Sequence, residues 1–137
     1  MVDNLFNLAS NIIYLGLNGC LTCNFIGPVI KKSYSLHLFE NLDYFQFENK
    51  QDYQDKAVKL LENYKIPNVH NPIPIPLIFI KVNEKTSVAD QAILEECAIK
   101  IQDELSDDEL FAFFDEEIDN YNLILSLISK IVSDTMF

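Results

Sequence analysis

The chain has 137 residues, 49% of them apolar and 12% aromatic, enough to bury a core and too apolar for a disordered segment. Its formal net charge is −11 and its pI near 4.4, with lysine supplying all ten basic residues. That balance argues against nucleic acid, whose phosphates need a cationic surface, and against adsorption on anionic membranes. No apolar run approaches the ~18 residues of a membrane span. Met1-Val2-Asp3-Asn4-Leu5-Phe6 lacks the basic start of a secretory leader. Three cysteines, an odd count, suit a reducing compartment better than a disulfide scaffold, so the expected location is cytoplasmic.

Leu5, Phe6, Leu8 and Ala9 suggest a short amphipathic helix over 3–10. The run Ile12-Ile13-Tyr14-Leu15-Gly16-Leu17 is apolar throughout, the pattern of a strand buried on both faces. Asn18-Gly19 then turns the chain into a helix that begins at Cys20. Phe25, Ile26, Val29, Ile30 and Tyr34 form its apolar side, and Pro28 lies in its interior, where it removes a backbone bond and is expected to kink it. Residues 43–47 read as a strand, and 51–64 as a helix with Ala57, Val58, Leu60, Leu61 and Tyr64 at helical spacing. Pro67, Pro72, Pro74 and Pro76 exclude helix and force an extended path into the strand 77–82. Cys97-Ala98-Ile99-Lys100-Ile101-Gln102 reads as a fourth strand, with 87–96 left open between a helical turn and an irregular loop. Ser106-Asp107-Asp108-Glu109 is a capping-box signature opening a helix. Leu123, Ile124, Leu127, Ile128, Ile131 and Val132 mark a last amphipathic segment. This order gives an α/β fold, a mixed four-stranded sheet flanked by helices on both faces.

The chemistry concentrates in Cys20-Leu21-Thr22-Cys23. Two cysteines at this spacing, at a strand-to-helix junction, make a reversible dithiol/disulfide couple. The helix start offers unpaired N–H groups and partial positive charge to a thiolate at Cys20, which makes Cys20 the nucleophile and Cys23, one turn deeper, its resolving partner. A zinc site drawing on Cys20, Cys23, His37 and His70 is the weaker alternative, because the histidines are far apart and no second Cys-x-x-Cys is present. Cys97 reads as a small buried hydrophobe, with a regulatory thiol as the sharper option.

The stretch from Asn18 to Lys32, with its helix proline at Pro28, resembles the active-site helix of the thioredoxin-like superfamily. Ile75-Pro76 before Leu77-Ile78-Phe79-Ile80 is similar to that family's cis-proline and the strand after it, and Leu105 to Leu110 is similar to the start of its last helix. The resemblance covers residues 11–119. It implies one thioredoxin-like domain over 1–137, with 120–137 as a C-terminal helical extension. Pro76 is then the expected cis-proline, with Pro74 as the other candidate, and Ile75 and Pro76 would hold substrate beside Cys20. The implied activity is thiol–disulfide exchange, reducing protein disulfides and recharged by a dithiol reductase system, with the oxidase or isomerase direction as the alternative for a strongly oxidising couple. No cofactor or metal is implied. The chain departs from the family at the site itself. Gly19, Leu21 and Thr22 replace the tryptophan and the Gly-Pro insert, and Tyr14 stands where a buried acid is usual.

The alternative function is a non-catalytic interaction or redox-sensing module with the same fold. Nine acidic residues between Asp103 and Asp119 read as a solvated helix face or, less simply, a docking face for a basic partner. The stripe from Leu123 to Val132 reads as internal packing or as the contact of a weak dimer, so the expected state is a monomer or a weak dimer through this helix.

Overall fold

The computed structural model describes residues 11–67, 72–114 and 121–135. Its first strand, β1 (Asn11–Leu17), is the apolar run, and every residue from Ile12 to Leu17 is buried. Burial on both faces follows from its central position in a four-stranded sheet of order β2-β1-β3-β4. It pairs in parallel with β2 (Asn41–Phe47), from Asn11 opposite Asn41 to Leu17 opposite Phe47. On its other side it pairs antiparallel with β3 (Leu77–Val82), placing Ile12 opposite Ile80 and Leu15 opposite Leu77. The short β4 (Lys85–Val88) returns antiparallel along β3.

The two-residue period of the strands divides the core in two. Ile12, Tyr14, Ile78 and Ile80 face one side, against α1 (Leu21–Ser35), α3 (Gln91–Glu104) and α5 (Tyr121–Asp134). Ile13, Leu15, Leu17, Leu77 and Phe79 face the other, against Tyr53, Ala57 and Leu61 of α2 (Lys50–Asn63). The mixed sheet with helices on both faces is therefore present. A fifth helix, α4 (Asp107–Phe114), begins with the expected capping box, Ser106 Oγ accepting from the Glu109 N–H and Glu109 Oε1 from the Ser106 N–H.

One element differs from expectation. Residues 97–102 are not a strand but the second half of α3. Leu94, Cys97, Ala98 and Ile101 are its buried stripe, spaced three and four apart, and Asp90 Oδ1 caps its start by accepting the Ala92 N–H at 2.8 Å. The fourth strand is the polar Lys-Thr-Ser-Val of β4, entered through Asn83 at φ 56°. Paired along one edge only, it needs no apolar run of its own. Cys97 is buried, as expected, though on a helix. Of the residues expected on apolar helix faces, Tyr34 and Val58 are exposed instead.

α1 runs through Pro28 without a break. The stripe of α5 is spent inside the fold: Ile124, Leu127, Ile128, Ile131 and Val132 are all buried in the cluster shared with α1 and α3. No helix among the described residues is long and apolar enough to cross a membrane. The expected helix at 3–10, His70 and the acidic residues 115–119 lie outside the described residues.

Candidate dithiol site

α1 starts at the end of the central strand, where Asn18 and Gly19 turn the chain. Gly19 takes φ 86°, a conformation that costs a side-chain-bearing residue, and so the corner calls for glycine. Asn18 ties it to the end of β2, its N–H donating to the Phe47 carbonyl at 2.9 Å and its Oδ1 accepting from Gln46 Nε2 at 2.8 Å.

Cys20 is the N-cap of α1. Oxygen-bearing side chains cap α2 and α3, from Asn49 and Asp90, whereas α1 uses sulfur. Cysteine is not among the preferred capping residues Ser, Thr, Asp and Asn, so this helix start departs from the other two. Cys20 Sγ accepts the Cys23 N–H at 3.2 Å. A backbone N–H therefore donates to this sulfur at the positive end of a helix. Cys20 is half-buried and Cys23 is 4% exposed, which leaves the first sulfur reachable and the second shielded.

Burial pushes the Cys23 thiol from its ordinary 9.0 up to about 12, and its hydrogen bond to Cys20 adds to the rise. A backbone hydrogen bond at Leu17 and the Tyr14 hydroxyl pull the other way. Tyr14 lies fully buried on β1, its hydroxyl donating to the Cys23 carbonyl at 3.4 Å. Burial, followed by the neighbouring Cys23 sulfur, drives its own ionisation far above the ordinary tyrosine range. Tyr14 is thus a neutral hydroxyl donating to the backbone of the second cysteine, at the position where the resembled family carries an acid. Two glycines make room for it. A Cβ on Gly16 would lie 2.6 Å from the Tyr14 hydroxyl oxygen. One on Gly27 would lie 2.6 Å from the hydroxyl oxygen of Tyr44, whose ring stacks on Tyr14 at 4.5 Å.

The Ile75–Pro76 peptide is cis, and no other cis bond occurs among the described residues; Pro74, the other candidate, is trans. Side chains hold this loop in place. Gln54 takes both backbone groups of Ile73, its Oε1 accepting the N–H at 2.9 Å and its Nε2 donating to the carbonyl at 3.0 Å. The Tyr53 hydroxyl donates to the Pro74 carbonyl at 2.7 Å, and Gln91 Nε2 to the Pro76 carbonyl. Ile75 alone in this run makes no backbone hydrogen bond among the described residues. Ile75 and Cys20 both pack against the cluster that holds Leu17, Tyr53 and Leu77. Tyr53 links the two: burial raises its ionisation, and the nearby Cys23 and Cys20 sulfurs raise it further.

The sequence thus singles out Cys20, Cys23, Tyr14, Gly19, Leu21, Thr22, Pro28, Ile75 and Pro76. Of these, Tyr14 meets Cys23, and Cys20 shares a cluster with Ile75, while Pro28 lies further along α1. Tyr53, Gln54 and Gln91 escape a sequence reading. A buried tyrosine on a polar helix looks like core, and glutamines at helix surfaces carry no pattern. Among the described residues no group of three or more His, Cys, Asp or Glu is placed to hold a metal. His37 is exposed in the turn after α1. Cys97 is buried, its thiol pushed up to about 11 by burial, on α3 and outside both sulfur contacts. Compared with known proteins, the chain matches no protein-family model, no curated protein and no solved structure.

Proposed function

We propose that this chain is a thioredoxin-like thiol–disulfide oxidoreductase that reduces protein disulfides through Cys20 and Cys23. The observation that carries the reading is the arrangement at the start of α1: a half-buried capping sulfur that accepts a helix N–H, backed by a shielded second thiol. The cis-proline before β3 and the sheet order β2-β1-β3-β4 support the fold assignment.

In this reading the Cys20 thiolate attacks one sulfur of a substrate disulfide. A Cys20–substrate bond forms, and the other substrate sulfur leaves as a thiolate and takes up a proton from solvent. Cys23 then gives up its proton and attacks Cys20 Sγ, forming the Cys20–Cys23 disulfide and expelling the second substrate thiol. Two electrons pass from the protein dithiol to the substrate. An external dithiol reductant restores Cys20 and Cys23 by the reverse exchange. The Ile75 backbone, without a partner of its own among the described residues, offers an extended substrate a place to pair.

A Cys23→Ser variant is expected to accumulate mixed disulfides on Cys20 with a disulfide-bonded protein substrate, and a Cys20→Ser variant to form none. Equal adduct formation by both variants would remove the assignment of roles. The burial that holds Cys23 protonated favours a second reading, a redox sensor that forms its disulfide without turning over. Multiple turnovers with an excess of dithiol reductant separate the enzyme from the sensor.

A further inference from the structure

The first helix turn carries an exposed leucine. Leu21 is 67% exposed, and across from it on α3 Ile99 is 57% exposed; both are large apolar side chains left in water beside the dithiol. They line one shallow depression with Thr22, Phe25 and Glu95. A second, larger groove of about 650 Å³ lies along the cis-proline loop and includes Ile73, Pro74, Ile75, Ala89 and Asp90, with Glu95 again on its wall. The two depressions meet at the Glu95 side chain. Glu95 and Asp90 are exposed, and no ion pair among the described residues involves either, whereas Glu96, the next residue along, pairs with Lys130 at 3.5 Å.

Resting on the exchange reading, we infer that this continuous face selects the substrate. Its occupant is an extended segment of a disulfide-bearing protein with an apolar residue and a lysine or arginine close to the cystine. The apolar residue is received by Leu21 and Ile99 and the cation by Glu95, with Asp90 alongside. The apolar half of the face supplies area removed from water, and the carboxylates supply sign. An acidic substrate segment meets like charge on a face whose net surroundings are already negative.

The test uses two disulfide-linked synthetic peptides, identical but for Lys or Glu two residues from the cystine. Oxidation of the pre-reduced protein is followed in a single turnover. At low ionic strength the Lys peptide is expected to react about three- to tenfold faster, the range for one rim charge at close approach, and the ratio to shrink as salt screens it. Glu95→Gln is expected to lower the ratio. Glu84→Gln, the same charge change in the β3–β4 turn, is expected to leave it unaltered. Replacing Leu21 and Ile99 by Asn is expected to slow both peptides alike. Equal rates for the two peptides, or a ratio that Glu95→Gln and Glu84→Gln lower equally, would overturn the inference. The small uncharged disulfide of 2-mercaptoethanol is run beside them. If it too fails to oxidise the dithiol, the exchange reading fails; if it reacts while the peptides are not distinguished, only the docking face fails.

Discussion

Replacing Tyr14 by Phe deletes one oxygen atom from a fully buried side chain and leaves the ring stacked on Tyr44. What is lost is the hydroxyl that donates to the Cys23 carbonyl and is one of the two influences holding the Cys23 thiol down against burial. A hydrogen bond to a charged partner contributes about 1.5–3 kcal/mol, so its removal raises the cost of the Cys23 thiolate by roughly one to two pH units. At neutral pH the thiolate fraction falls tenfold for each unit. The more basic thiolate that remains is a better nucleophile, with a Brønsted coefficient of about 0.4–0.5, and this offsets nearly half the loss. The net expectation is a resolving step roughly three- to fifteenfold slower, with little change in the first attack by Cys20. The assay is rapid mixing of the reduced protein with a disulfide peptide, quenching in acid, and counting mixed disulfide by mass. The variant should hold more mixed disulfide for longer. An unchanged lifetime alongside an unchanged first step would refute a role for this hydroxyl at Cys23.

Alkaline pH should destabilise the reduced protein. Burial raises Cys23 and Cys97 to about 12 and about 11, so the folded state keeps protons that the unfolded chain releases above about 9. The stability is fully present below pH 9 and is lost above it, by about 1.4 kcal/mol per pH unit for each thiol. Locking Cys20 and Cys23 in a disulfide should remove the Cys23 share of that slope in denaturant titrations, leaving Cys97 and, from about pH 10, the buried Tyr14 and Tyr53. Ile128, fully buried on α5, should cost about 2–5 kcal/mol as Ala in urea unfolding if the C-terminal helix belongs to the core. A cost below about 0.5 kcal/mol would mean that this helix is dispensable packing. Gly27→Ala should cost about 1–3 kcal/mol, because its Cβ meets the Tyr44 hydroxyl oxygen at 2.6 Å, and most of that should return in a Tyr44→Phe background.

Much of the architecture is legible where one physical signal dominates. The unbroken apolar run of β1, the proline barrier before β3 and the capping box of α4 each leave few alternatives. At 97–102 two periods compete: Cys97, Ile99 and Ile101 alternate like a strand, while Leu94, Cys97, Ala98 and Ile101 repeat like a helix. Helical packing against α1 and α5 decides between them, and that partner is invisible from the segment alone. β4 escapes for the opposite reason, since an edge strand needs backbone pairing more than apolar side chains. At the site, the two cysteines and the proline announce themselves by spacing. The supports from Tyr53, Gln54 and Gln91 do not, because hydrogen bonds across 15 to 21 residues leave no local pattern.

Equilibrating the protein across a series of dithiol/disulfide redox buffers, then alkylating and mapping each cysteine, addresses the dithiol most directly. The expected result is a single two-electron transition in which Cys20 and Cys23 lose alkylation together while Cys97 changes independently of them. A titration in which Cys20 pairs with Cys97 or only with a buffer thiol, and never with Cys23, would contradict a Cys20–Cys23 couple at the head of α1.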